Sequence, residues 1–262
     1  MRWLGRPARA VAGLAAPAAV TPPTASWKAS GAWTVDRAVR ALATACVRQS
    51  RPVPAAAAVV LEPESVALRL ATPDEAPPPG WSVDEQGRTW RMALRQLQDA
   101  PLDGTLPKPF PRLVSLGETS AGRVLLNLAQ ADGVISLEGD AARARRLART
   151  WAARLVSSPW SAEIPVIRVG FDHDPADRFT GVDVSYLGEA ARILDGPDGG
   201  VLVFAEAPQG RDLDYVTWLA GEKSRTWTVV AVGAGDARWR LTVDSGGTVN
   251  TALLDEPARL RA

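Results

Sequence analysis

The stretch GVISLEGDAARARRLART, residues 133–150, decides how this chain is read. Its apolar opening predicts a buried strand, Gly139 a turn, and the residues after Asp140 a helix. Strand, glycine turn and helix in that order form the scaffold on which nucleotide-binding proteins carry a phosphate loop. Such a loop needs several glycines, so that backbone N–H groups can wrap the phosphates. It also needs a lysine for the β/γ-phosphates and a Ser/Thr for magnesium. After Gly139 come Asp140, Ala141, Ala142 and Arg143, with no second glycine and no lysine between Lys108 and Lys223. Asp140 stands where its side chain would cap the helix, taking the amides that would otherwise hold an anion. Its carboxylate also repels phosphate. The scaffold is present and the loop is absent.

Working outward, the second half of the chain alternates. RLVSLG and GRVLLNLA predict short strands around ETSAG, and IPVIRVGF, GGVLVFAEA and TWTVVAVGAG predict buried strands. DVSYLGEAARIL and RDLDYVTWLAGEKS predict amphipathic helices between them, and ARWRLTVDSGGTVNTALL a closing hairpin. This alternation predicts an α/β fold with a mainly parallel sheet and helices on both faces. Glu206 ends the strand VLVFAEA, where an NTPase of this kind carries its Walker B acid.

Upstream, Val35, Val39, Leu42 and Cys46 recur at helical spacing, and Thr34 or Asp36 is placed to cap that helix. AAAAVVLEP and SVALRLATP predict a β-hairpin, and GWSVDEQGRTWRMAL a second one in which Trp81 and Trp90 flank the turn and pair across it. Pro101, Pro107, Pro109 and Pro111 then forbid helix and mark a boundary. The expected organisation is a flexible tail over 1–31, a small α+β domain over 32–105, and the α/β domain over 111–262.

Composition narrows the function classes. The 262 residues carry a net charge of +1, which argues against broad electrostatic attraction to nucleic acid or acidic membrane. A single cysteine, Cys46, excludes an intramolecular disulfide and a cysteine-based zinc cluster, and fits a reducing compartment. Cys46 lies on an apolar helix stripe and reads as an inert buried thiol. Residues 10–20 are apolar but too short to span a bilayer. Arg2, Arg6 and Arg9 before them fit a signal peptide, whereas the alanines and Pro17 make its core weak, so a flexible tail is expected. The location expected is cytoplasmic.

The segments PRLVSLGETSAGRVLLNLAQADGVISLEGD, RLVSSPWSAEIPVIRVGF and VVAVGAGDARWRLTVD carry a resemblance, as do DRAVRALATAC, AVVLEPESVALRLATP and PPPGWSVDEQGRTWRM upstream. Together they resemble a region of large actinobacterial envelope-associated proteins that combine LysM and BTAD domains with transmembrane helices. The likeness runs over roughly residues 33–254, and no LysM motif, activator repeat or transmembrane helix is visible here. More distantly, the second domain resembles the sheet of FtsK/SpoIIIE-type ATPases with the phosphate loop deleted. The resemblance implies a non-enzymatic, pseudo-ATPase-like scaffold or interaction protein and brings no catalytic residues with it.

Three features compete with that reading. The helix after Asp140 places Arg145, Arg146 and Arg149 opposite Leu147, Trp151 and Leu155, a stripe able to meet a protein partner or, as an alternative, a nucleic acid. His173 and Asp174, with Glu206, stand at or just past strand ends, where open α/β sheets bind ligands; they offer an alternative nonstandard enzyme site. Trp3 and Trp27 lie outside any obvious core and are candidate anchors for a partner. A protein partner is expected, nucleic acid is not, and no cofactor or metal is called for.

Overall fold

The computed structural model describes residues 27–161, 164–172, 174, 177–196, 199–221 and 227–260. Helix α1 (Trp27–Arg48) starts before the expected caps Thr34 and Asp36 and buries Val35, Val39, Leu42 and Cys46 on one stripe. Thr34 and Asp36 therefore lie inside the helix rather than at its cap, and Asp36 pairs with Arg40 one turn on, at 2.9 Å. Burial pushes the Cys46 thiol pKa up. Arg51 lowers it in part and Asp74 adds to the rise, so the thiol stays protonated and unreactive.

Hairpin β1 (Ala56–Leu61) and β2 (Ser65–Leu70) follows, then β3 (Ser82–Val83), β4 (Thr89–Ala93) and the short α2 (Leu94–Asp99). Trp81 does not pair with Trp90. Val83 stands opposite Trp90, and both indoles instead enter the core beneath α1. After the prolines come β5 (Leu113–Glu118), β6 (Arg123–Asn127), β7 (Val134–Gly139) and α3 (Ala141–Ser157). The remaining elements are β8 (Val166–Val169), β9 (Val182–Val184), a 3-10 turn (Leu187–Ala190), α4 (Ala191–Leu194), β10 (Gly200–Phe204) and α5 (Gly210–Ala220). Strands β11 (Trp227–Val232), β12 (Trp239–Val243), β13 (Thr248–Thr251) and β14 (Ala258–Arg259) follow.

All of these strands join one mixed 14-stranded sheet, in the order β3-β4-β2-β1-β6-β5-β14-β13-β12-β7-β11-β10-β8-β9. This corrects the expectation of a mainly parallel sheet with helices on both faces: antiparallel pairings predominate and helices are few. The reason lies in the connections. Strands linked by a tight turn can pair only antiparallel, and parallel neighbours need a crossover. The tight links β1–β2, β5–β6 and β12–β13 meet that rule, and β6 then pairs with β1 while β14 pairs with both β13 and β5. Parallel pairing is confined to β12-β7-β11-β10-β8-β9.

Three apolar clusters hold the sheet. Ile135, Leu137, Val230, Val203 and Leu241 meet Leu147, Trp151 and Leu155 of α3. Val59, Leu68, Leu113 and Leu125 meet α1, while Ile167, Leu202, Phe204 and Val229 meet α4 and α5. The indoles of Trp151 and Trp160 donate to the Ser115 and Leu113 carbonyls, each at 2.9 Å, so α3 and the turn after it are tied to the backbone of β5. Elsewhere a sheet face is open: Arg240 and Thr242 of β12 are exposed.

Candidate functional site at the carboxyl ends of the parallel strands

Strands β7, β10 and β11 run parallel, so their carboxyl ends share one rim. At that rim β7 passes into α3 through Asp140 alone. Asp140 is extended (φ −67°, ψ 106°) and its Oδ1 accepts the Arg143 N–H at 2.9 Å, the capping role its position predicts. Gly139 has a sheet-building reason to be glycine. Its φ is +90°, and a Cβ there would lie 2.2 Å from the Val243 carbonyl oxygen on β12. The Asp140 N–H donates to that same oxygen at 2.8 Å.

Two arginines of α3, Arg145 and Arg149, fold back onto the protein. Arg145 donates from Nη2 to Glu206 Oε1 at 2.6 Å and from Nε to the Ala205 carbonyl at 3.1 Å, laying its side chain over the end of β10. Side-chain exposures of 45% and 77% make this pair worth at most about 1 kcal/mol. Arg149 donates to the Asp172 carbonyl at 3.0 Å, pairs with Asp177 at 3.5 Å and Asp174 at 3.9 Å, and stands over the Phe171 ring. Arg146 is exposed and makes no ion pair with a described residue. Arg143 reaches toward the β12–β13 turn, its Nη1 lying 3.5 Å from where a Gly247 side chain would begin.

A heavily partnered cation is one that sequence reasoning missed. Arg168 on β8 is 2% exposed. Its Nε and Nη2 grip Asp183 in a two-point pair at 2.6 Å, Nη1 donates to Asp177, and the guanidinium lies 4.0 Å over the Phe179 ring. The signal was available: an arginine inside the apolar strand IPVIRVGF needs carboxylates to hold it. Burial pushes the Asp177 carboxyl pKa up, and the hydrogen bond and charge of Arg168 more than reverse this, leaving it below the usual carboxylate range.

The other predicted residues separate. His173 and Trp3 lie outside the described residues, and Trp27 opens α1 as a backbone position. Asp174 faces Arg149 and Glu206 faces Arg145, so each acid has an arginine beside it rather than the other acid. No group of His, Cys, Asp and Glu suited to a metal ion occurs among the described residues. A cleft of about 340 Å³ lined by Val47, Val53, Leu106, Pro107, Pro109 and Phe110 shares no residue with the rim.

No family model matches the chain, and no curated protein matches it. Among solved structures it is similar to the pCW3 conjugation coupling protein TcpA, in a monomer form with ATPγS. The identity is 10%, the TM-score 0.37, and the match covers 82% of this chain and 83% of that one.

Proposed function

We propose that this chain is a non-enzymatic interaction or scaffold protein, built on a sheet that keeps the outline of a nucleotide-binding domain without its phosphate loop. The observation that carries the reading is the one-residue connection between β7 and α3. Asp140 fills the helix N-terminus with its own carboxylate, which leaves no loop to wrap a phosphate and places a negative charge where one would sit. The Arg145–Glu206 pair supports it further, since the acid at the Walker B position is already engaged by a neighbouring cation. The resemblance to actinobacterial LysM/BTAD-type proteins and a cytoplasmic location belong to this proposal. So does the division into a 1–31 tail, whose last five residues already belong to α1, an α+β part over 32–105 and a second part over 111–262. No helix of the described residues is long and apolar enough to cross a membrane.

Calorimetry with ATP, GTP and their magnesium complexes tests the reading. The expected result is no measurable heat of binding. A micromolar dissociation constant, equivalent to about −8 kcal/mol, would overturn it.

The nucleic-acid alternative is weakened by the fate of the arginine stripe. Arg145 and Arg149 are engaged with carboxylates of this chain, which leaves Arg146 as the one of the three with no ion pair to a described residue. Duplex DNA is expected to bind weakly at physiological salt. Tight binding that falls steeply as salt rises, and is lost in Arg145→Glu/Arg146→Glu, would restore that alternative.

A further inference from the structure

Between β8 and α4 the chain crosses from one face of the sheet to the other. Phe171 and Phe179 pack against the cluster that α3 covers, whereas Leu187, Ala190 and Leu194 belong to the cluster beneath α5. Strand β9 lies between these anchors as the outermost strand, three residues long, with Val182 and Asp183 exposed. Beneath it, β8 is buried at all four positions. The middle of the crossing is held to the sheet by backbone pairing, by the two-point contact of Arg168 with Asp183, and by half-buried Val184, which packs against the cluster beneath α5.

We propose that residues 180–186 form a releasable strap over the edge of β8, which lifts Val184 off its cluster while the flanking anchors Phe179 and Leu187 stay in place, so that access to that edge is set by the Arg168 clamp. The division of carboxylates makes this opening feasible. Asp177 precedes the Phe179 anchor and Asp183 follows it, so a lifted strap takes away Asp183 and leaves the buried guanidinium its contact with Asp177. A buried charge stripped of every partner would forbid the motion. An uncovered strand edge offers a row of backbone donors and acceptors to another chain, which is why such edges are guarded.

Two amides separate strap opening from wider unfolding. The Gly170 N–H donates to the Val184 carbonyl at 2.9 Å and is released when the strap lifts; the Ala205 N–H donates to the Val169 carbonyl at 3.0 Å and is not. Hydrogen exchange followed by NMR on the intact chain should show Gly170 exchanging at least tenfold faster than Ala205. Asp183→Asn should raise the Gly170 rate about tenfold again and leave Ala205 unchanged. Equal rates for the two amides in the native chain, or an equal acceleration of both in Asp183→Asn, would overturn the strap. Should Asp183→Asn fail to fold, the ratio in the native chain decides alone.

Discussion

Gly139→Ala is expected to destabilise the fold by about 3 kcal/mol, combining a left-handed backbone forced on alanine with a collision against β12. The new Cβ would stand 2.2 Å from the Val243 oxygen, and that atom belongs to backbone that also receives the Asp140 N–H, so it has little room to yield. Gly133 supplies the control. It has the same φ of +90° but nothing within 4 Å of an added Cβ, so Gly133→Ala should cost only about 1 kcal/mol. Urea unfolding of both variants measures the difference. Similar losses in the two would mean that the close approach of β7 and β12 is not what demands glycine. The distinction bears on function, because a glycine required by sheet geometry is no sign of a vanished phosphate loop.

Arg168→Ala should cost about 3–5 kcal/mol, the range for removing one partner of a buried ion pair. It leaves Asp177, whose side chain is 12% exposed, with only the looser Arg149 contact at 3.5 Å as a cation, while Asp183, at 45%, can recover solvation. The acid limb of stability should change with it. Asp177 has a folded-state pKa depressed by Arg168, so its contribution is present above the unfolded-state value of about 4 and is lost as pH falls through the lower folded-state value. Unfolding midpoints measured from pH 6 downward should therefore fall more steeply for the native chain than for Arg168→Ala. Parallel curves would show that Asp177 gains nothing from its cation.

What was legible in the sequence was local chemistry. The Asp140 cap, the α1 stripe through Cys46 and the β12–β13 hairpin depend on residues a few positions apart, and each occurs as read. The parallel order around β7, β10 and β11 was also foreshadowed by apolar strands separated by helices. The mixed character of the whole sheet was not, because it depends on which distant strands meet. The link between β13 and β5 is β14, two residues with no periodic pattern to betray them. The arginine stripe misled for a related reason. Helical spacing puts Arg145 and Arg149 on an outer face, yet Glu206 and Asp177, far along the chain, fold back onto them. Arg168 was readable as an anomaly in an apolar strand, but its partner Asp183 sits beyond a long connection with no regular spacing.

The lateness of β14 has a consequence for synthesis. In the sheet it is the strip of backbone that stitches β5 on one side to β13 on the other, and the stitch is tight: a side chain on Gly117 would strike the Arg259 carbonyl oxygen at 2.5 Å. Every other strand of both halves precedes it in the chain. While the polypeptide is still emerging from the ribosome, the N-terminal hairpins and the parallel strands can each form, but the hydrogen-bonded sheet remains in two pieces with the edges of β5 and β13 bare. Those edges close only once residues 258–259 have left the exit tunnel and paired, and until then the bare edges of β5 and β13 are what a chaperone would have to shield.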